Sequence, residues 1–221
     1  MHFHILVEDQ SGKRMLELLL PKLINAGHTT HIYDYKGVGR LPKGLRPGTD
    51  ANKRILLDRL PKILQGLGKT FAGWGQDCAA CVVVVIDVDD RQLNTFTDEL
   101  QAVVKSCRPA PITKFCVAVE EGEAWLLGDQ QAIIAAYPRA KVAVLKTYRQ
   151  DSICGTWEVL ADAVHPGGAA ALKAQGWQAA GAAKSDWAKA ITPHLELKRN
   201  KSHSFQLFCT TVQTLAATDE T

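Results

Sequence analysis

Up to about Tyr137, short apolar runs alternate with stripes of apolar residues at helical spacing. His2 to Val7 predicts a first strand, broken by the polar run Glu8-Asp9-Gln10-Ser11-Gly12. Leu16, Leu19, Leu20 and Leu23 then recur at helical spacing, and Pro21 should bend or end that helix. Thr29 to Tyr35 is rich in strand-forming residues and predicts a second strand. Gly37 to Gly48 holds four Gly and two Pro and predicts a loop. Leu56, Leu60, Ile63, Leu64 and Leu67 mark the next helix. Ala79 to Asp87 is a Val run without polar alternation, the pattern of a strand covered on both faces. Phe96, Leu100, Val103 and Val104 predict a further helix, closed by Arg108-Pro109-Ala110-Pro111. Ile112 to Val119 predicts a fourth strand, followed by Glu120-Glu121-Gly122-Glu123 and a helix from about Ala124.

Strands alternating with helices imply right-handed crossovers, hence an α/β fold with a mostly parallel, Rossmann-like sheet flanked by helices. In such sheets ligands bind outside the carboxyl ends of the strands. After Tyr137 no segment reads as a strand, and Gly167 to Ala183 is Ala-rich and reads as helix or loop. A last helix carries Phe205, Phe208, Cys209 and Val212 on one face, with Ser204 as its expected N-cap. No linker separates this tail. The expected organisation is an α/β core over 1–136 with a helical extension, 137–221, packed on it.

Composition narrows the class. The chain has 221 residues, 46% hydrophobic and 22% charged, which excludes a disordered or collagen-like chain. The longest apolar run, Cys78 to Ile86, is less than half the roughly 20 residues of a membrane helix. The start, MHFHILVEDQ, lacks the basic region and cleavage site of a signal peptide, so a soluble cytoplasmic protein with no membrane partner is expected. Six Cys are too few for a disulfide scaffold, and the Cys78/Cys81 pair, with no second pair behind it, is read as buried or bystander thiols. Lys36 to Lys62 carries eight basic residues against Asp50 and Asp58, whereas the remainder holds 18 basic and 21 acidic residues. One basic segment on a mildly acidic body suits a phosphate-rich partner, so Arg40, Lys43 and Arg46 are the candidate nucleic-acid contacts.

The acids fall where the sheet would open. Glu8 follows strand one, Asp87 and Asp89 end strand three, and Glu120, Glu121 and Glu123 follow strand four. Positions i and i+2 of an extended chain share a side, so Asp87 and Asp89 can face one cavity. Crowded carboxylates repel unless a cation lies among them, and hard oxygen donors suit Mg²⁺ or Mn²⁺ rather than zinc. His2, His4, His28 and His31 are read as residues alternating across neighbouring strands rather than as ligands. Trp125 is read as a packing anchor.

This ordered set resembles the Toprim domain of topoisomerases, primases and nucleases of the overcoming-lysogenization-defect type. It is most similar to bacterial Toprim-like proteins associated with ATPases in phage-defence loci. Their E-G-x-S stands here as Glu8-Asp9-Gln10-Ser11, with Asp in place of Gly, and their D-x-D-D as Asp87-Val88-Asp89-Asp90. Their E-x-E-A-W is Glu121-Gly122-Glu123-Ala124-Trp125, and a late K-x-x-S-F is Lys201-Ser202-His203-Ser204-Phe205. The resemblance implies a Mg²⁺- or Mn²⁺-dependent nuclease acting on DNA or RNA, an effector in anti-phage defence. It implies Glu8 as acid/base or ligand, Asp87 and Asp89 as ligands, and Glu121 or Glu123 completing the shell. Lys201 is the first candidate for the cation that faces the scissile phosphate and Lys184 the second. The competing class is a Toprim-shaped regulatory subunit of an ATPase complex without catalysis of its own. A homo-oligomer is compatible with either. A haloacid-dehalogenase-like phosphatase is set aside, because its D-x-D ends the first strand and runs into Thr or Val, whereas here it comes third and runs into Asp90-Arg91. There is no Walker G-x-x-x-x-G-K-[ST] and no G-x-S-x-G nucleophile turn.

Overall fold

The structure, a computed structural model, describes residues 1–37, 39–42, 55–75, 78–88, 91–119, 121–152 and 155–218. Four strands, β1 (His2–Val7), β2 (Thr29–Asp34), β3 (Ala80–Asp87) and β4 (Ile112–Ala118), form one sheet in the order β2-β1-β3-β4. Every pairing is parallel. The connecting helices are α1 (Gln10–Leu19), α2 (Leu56–Gly73) and α3 (Leu93–Ser106). The fold is α/β, a parallel sheet flanked by helices, consistent with Rossmann- and Toprim-like architectures.

Period two divides the strands between two cores. Phe3, Ile5, Val7, Cys81, Val83, Val85, Cys116 and Ala118 face α1 and the helices after β4. Leu6, Val82, Val84 and Ile86 face α2 and α3. Central β3 is buried along all of Ala80–Ile86. That is why its sequence shows no alternation. Edge strand β2 is mostly exposed or half-buried, so its polar Thr and His residues meet water.

The same periodicity places the histidines differently from the alternation expected of them. Residues 2 and 4 share a face, and parallel register sets His31 beside His4. The His4 ring lies 5.4 Å from His31 and 5.0 Å from Phe71, with both nitrogens buried and unbonded. Burial, then His31 and His2, hold its pKa below the usual imidazole value.

Gly68 is where α2 meets the turn before β4. A Cβ there would lie 2.1 Å from the Pro109 carbonyl oxygen. Helix propensity alone favours Ala over Gly by about 1 kcal/mol, but the colliding atom is backbone and cannot rotate away. Gly68→Ala should therefore destabilise the protein by about 1–3 kcal/mol. A denaturant midpoint equal to or above wild type would show that α2 stands further from the turn.

Beyond β4 the chain is helical: α4 (Glu123–Leu127), α5 (Gln130–Ala136), α6 (Val142–Leu145), α7 (Thr156–Val164), α8 (Gly168–Gln175), α9 (Trp177–Ile191) and α10 (His203–Ala217). Their apolar faces share a core with β1, β3, β4 and α1. Polar ties fix the junction. Lys22 donates to the carbonyls of Thr192, Pro193 and Leu195, closing the turn that follows α9. Asp129 caps α5 through Ala132 N–H and takes two bonds from Arg199.

The N-cap of α10 is Ser202, not Ser204. Ser204 is engaged elsewhere: it donates to Asp151 and accepts the Trp125 indole N–H at 3.0 Å. Trp125 is fully buried against Phe205 and Phe208. The aromatic and serine positions of the two C-terminal motifs thus meet in one buried junction. Among the described residues, no helix is long and apolar enough to cross a membrane.

Candidate functional site

The sheet order reverses between β1 and β3, since the chain leaves β1 towards β2 and returns to β3 on the other side. A crevice opens at the carboxyl end of such a switch point. Glu8 follows β1 there and Asp87 ends β3. The Asp87 N–H donates to Glu8 Oε2 at 3.3 Å. Glu8, Asp9, Asp87 and Glu123 line one cavity of about 20 Å³, walled by Val7, Val85 and Trp125. That volume holds about one water-sized guest.

Each acid reaches the rim by a different device. Asp87 has the parity of Val83 and Val85 and so turns towards α4 and α9. Glu123 opens α4 and is buried at 4% exposure. Asp9 caps α1, accepting from Gly12 N–H at 2.7 Å and Ser11 Oγ at 2.8 Å. That turn carries its own anion, with Asp where the resemblance has Gly. A Cβ at Gly12 would meet Val7 at 2.6 Å, so only Gly lets α1 start this close to β1. Glu121 accepts from Thr156 Oγ1 at 2.9 Å and from Trp157 N–H at 3.2 Å, which anchors it to the start of α7.

Among the described residues, one cation enters the group. Lys184 of α9 lies 3.1 Å from Glu121 Oε1 and 3.2 Å from Glu123 Oε2. Burial opposes its ammonium, but Glu123 and then Glu121 outweigh that and lift its pKa. Burial, then Glu8, Glu123 and Asp9, push the Asp87 carboxyl well above the usual range, with Lys184 pulling the other way. Burial raises Glu123 to about 7 despite Lys184.

Lys184, the second lysine candidate, is therefore the one among the acids. Lys201, the first, has an exposed side chain. Its backbone N–H donates to Gly128, at the opposite end of α4 from Glu123. The serines and Phe of its motif build the α10 junction, and the lysine emerges from that junction into solvent.

The basic loop begins at this rim. Gly37 N–H donates to the Glu8 carbonyl, and Leu56 N–H to that of Gly37. Arg40 is exposed and lines a cavity with Leu57, Arg91 and Glu99. Asp89, Lys43 and Arg46 lie outside the described residues. Arg91, not singled out from the sequence, donates to the carbonyls of Asp87 and Gly39 and ties the loop to the end of β3. Its place directly behind Asp87-Val88-Asp89-Asp90 was the available signal. Thr156 and Trp157 carried no signal, because nothing local relates them to Glu121.

The donors here are all carboxylate oxygens, partly buried, which fits a hard divalent cation better than a soft one. Among the described residues, no three His, Cys, Asp or Glu side chains are already gathered as a metal cage. Comparison with protein-family models, with curated proteins and with solved structures gives no match.

Proposed function

We propose that the protein is a divalent-metal-dependent nuclease of Toprim type, with its centre at the carboxyl ends of β1 and β3. The observation that carries this reading is the convergence of Glu8, Asp87 and Glu123 on one cavity at the switch point of the sheet. These three, with Asp89, would hold Mg²⁺ or Mn²⁺. Bound there, the ion supplies Lewis-acid stabilisation of developing charge and a water of lowered pKa.

The chain's own residues do the rest. Lys184 fixes Glu121 and Glu123 in place and offsets part of their charge. Arg91 holds the start of the basic loop, at Gly39, against the end of β3. A phosphate backbone would lie on Arg40 there, with Lys43 and Arg46 as the further contacts that the basic segment of the sequence offers. Such contacts position the strand without reading its sequence. Glu8 is the group to move a proton at the scissile phosphate.

The test is cleavage of labelled single- and double-stranded DNA and RNA by the chain alone, with Mn²⁺, with Mg²⁺ and with EDTA. Metal-dependent cleavage that disappears in Asp87→Asn is the expected result. No cleavage of any substrate, with Mn²⁺ binding retained, would favour the alternative, a regulatory subunit that needs its ATPase partner.

A further inference from the structure

Trp177 is 85% exposed, although it opens a helix whose other tryptophan, Trp187, is buried. It borders a cavity of about 390 Å³ together with Trp157, Glu158, Lys173, Gly176 and Ala180. Trp157 forms a nearly buried wall, with the ammonium of Lys173 5.4 Å and that of Lys184 5.9 Å from its ring. Glu158 gives one carboxylate oxygen to Lys173 at 3.0 Å, while Oε2 is shielded from water and has no partner.

The wall is shared with the acid site. Trp157 N–H holds Glu121, and Lys184 touches both Glu121 and the Trp157 face. Trp177 and Lys184 are seven residues apart on α9, so they lie on one stripe of the helix about 10 Å apart. An aromatic face with a half-exposed lysine beside it is what grips an unstacked base. The aromatic face stacks the ring, and Lys173, whose side chain is 57% exposed, meets the adjoining phosphate.

We infer that this cavity is a nucleobase subsite, and that the substrate is single-stranded nucleic acid with a base stacked on Trp177. The inference rests on the nuclease reading for the strand's onward path to the acids, but the subsite itself is read out by binding alone. A paired base does not offer its face, so duplex should gain nothing from Trp177.

The test uses fluorescein-labelled oligodeoxycytidine, oligodeoxythymidine and a duplex, each of about twelve nucleotides, in EDTA so that nothing is cut. Wild type should bind both single strands, because stacking on an aromatic face tolerates any base. Trp177→Ala should weaken single-strand binding about tenfold or more, with Trp177→Phe in between and duplex binding unchanged. Lys173→Ala should lower the log–log salt slope by about 0.7. At 85% exposure, Trp177 can be replaced without touching the core, and circular dichroism would verify the fold. Equal single-strand affinity in wild type and Trp177→Ala would overturn the subsite while leaving the nuclease reading standing. So would a variant whose only change is a smaller sedimentation coefficient, which would make this face a contact between copies. If wild type binds no nucleic acid of any form, the nuclease reading fails with it.

Discussion

Asp87→Asn should abolish the thermal stabilisation given by Mn²⁺ and raise the melting temperature of the metal-free protein at pH 8. Both effects have one cause. Asp87 shares its cavity with Glu8, Asp9 and Glu123, and its carboxyl is pushed well above the usual range by burial and by those neighbours. A carboxyl raised in the folded state binds more protons folded than unfolded. Its contribution to stability therefore falls as pH rises above the unfolded value of about 3.9 and bottoms out above the folded value. Asparagine keeps the shape and removes that charge, so the variant's advantage should be small near pH 4 and largest at pH 8. The same repulsion is what a divalent cation relieves. At a hundred times its dissociation constant Mn²⁺ should stabilise wild type by about 2.7 kcal/mol, which is about 5–10 °C for a chain of this size. The shift should shrink at pH 5, because ligands must lose their protons to bind. Loss of an outer-shell partner already costs about 10–100-fold in affinity, and loss of a ligand should cost at least as much. Calorimetry with MnCl₂ checks this. An equal Mn²⁺ shift in wild type and Asp87→Asn would place any metal elsewhere.

Much of this fold was legible because period and burial coincide. The Val run of β3 announced a strand covered on both faces, and it is the buried centre of the sheet. The stripe of α2 and the Pro-rich turn before β4 were equally direct. Strand order was not readable from local pattern, and it is strand order that turns Glu8 and Asp87 into neighbours across 79 positions of sequence. The candidate site divides the same way. Residues adjacent to a strand end were found, since a strand's carboxyl end is a local feature with a known place in the sheet. Lys184 is the second candidate in the sequence because its partners are remote: α9 brings it to Glu121 and Glu123 only after α5, α6, α7 and α8 have packed on the core. Lys201 was ranked first because it stands in a motif, yet Ser202, Ser204 and Phe205 of that motif are held by Asp151, Trp125 and the α10 cap. The Ser204 cap assignment failed for the same reason, because a local rule cannot see a buried indole competing for the hydroxyl.

Lys184→Met should be the most damaging single change in the site, and its cost should depend on pH in a direction opposite to ordinary acid unfolding. The side chain of Lys184 is 18% exposed and that of Glu123 5%, so neither charge can turn out to water without opening α4 against α9. Removing one partner of a buried pair costs about 3–5 kcal/mol. Here the lower end is expected at pH 8, about 3 kcal/mol, because Glu121 keeps Thr156 and Trp157 N–H as donors. Glu123 has an escape. Its carboxyl is already raised to about 7 with the ammonium in place, and without it will rise further and take up a proton. The folded variant then binds a proton that the unfolded chain has lost, from the unfolded value of about 4.3 upward. Stability of the variant should accordingly fall as pH rises across 5 to 8, more steeply than in wild type. At pH 5 much of the loss should be recovered. The exposed Lys201→Met should change stability by no more than about 0.5 kcal/mol at either pH. Urea melts of the three proteins at pH 5 and pH 8 separate the cases. Equal losses at the two pH values would mean that Lys184 acts through its ammonium on the Trp157 face rather than by holding the acids. A silent Lys184 with a damaging Lys201 would return the cationic role to the motif lysine.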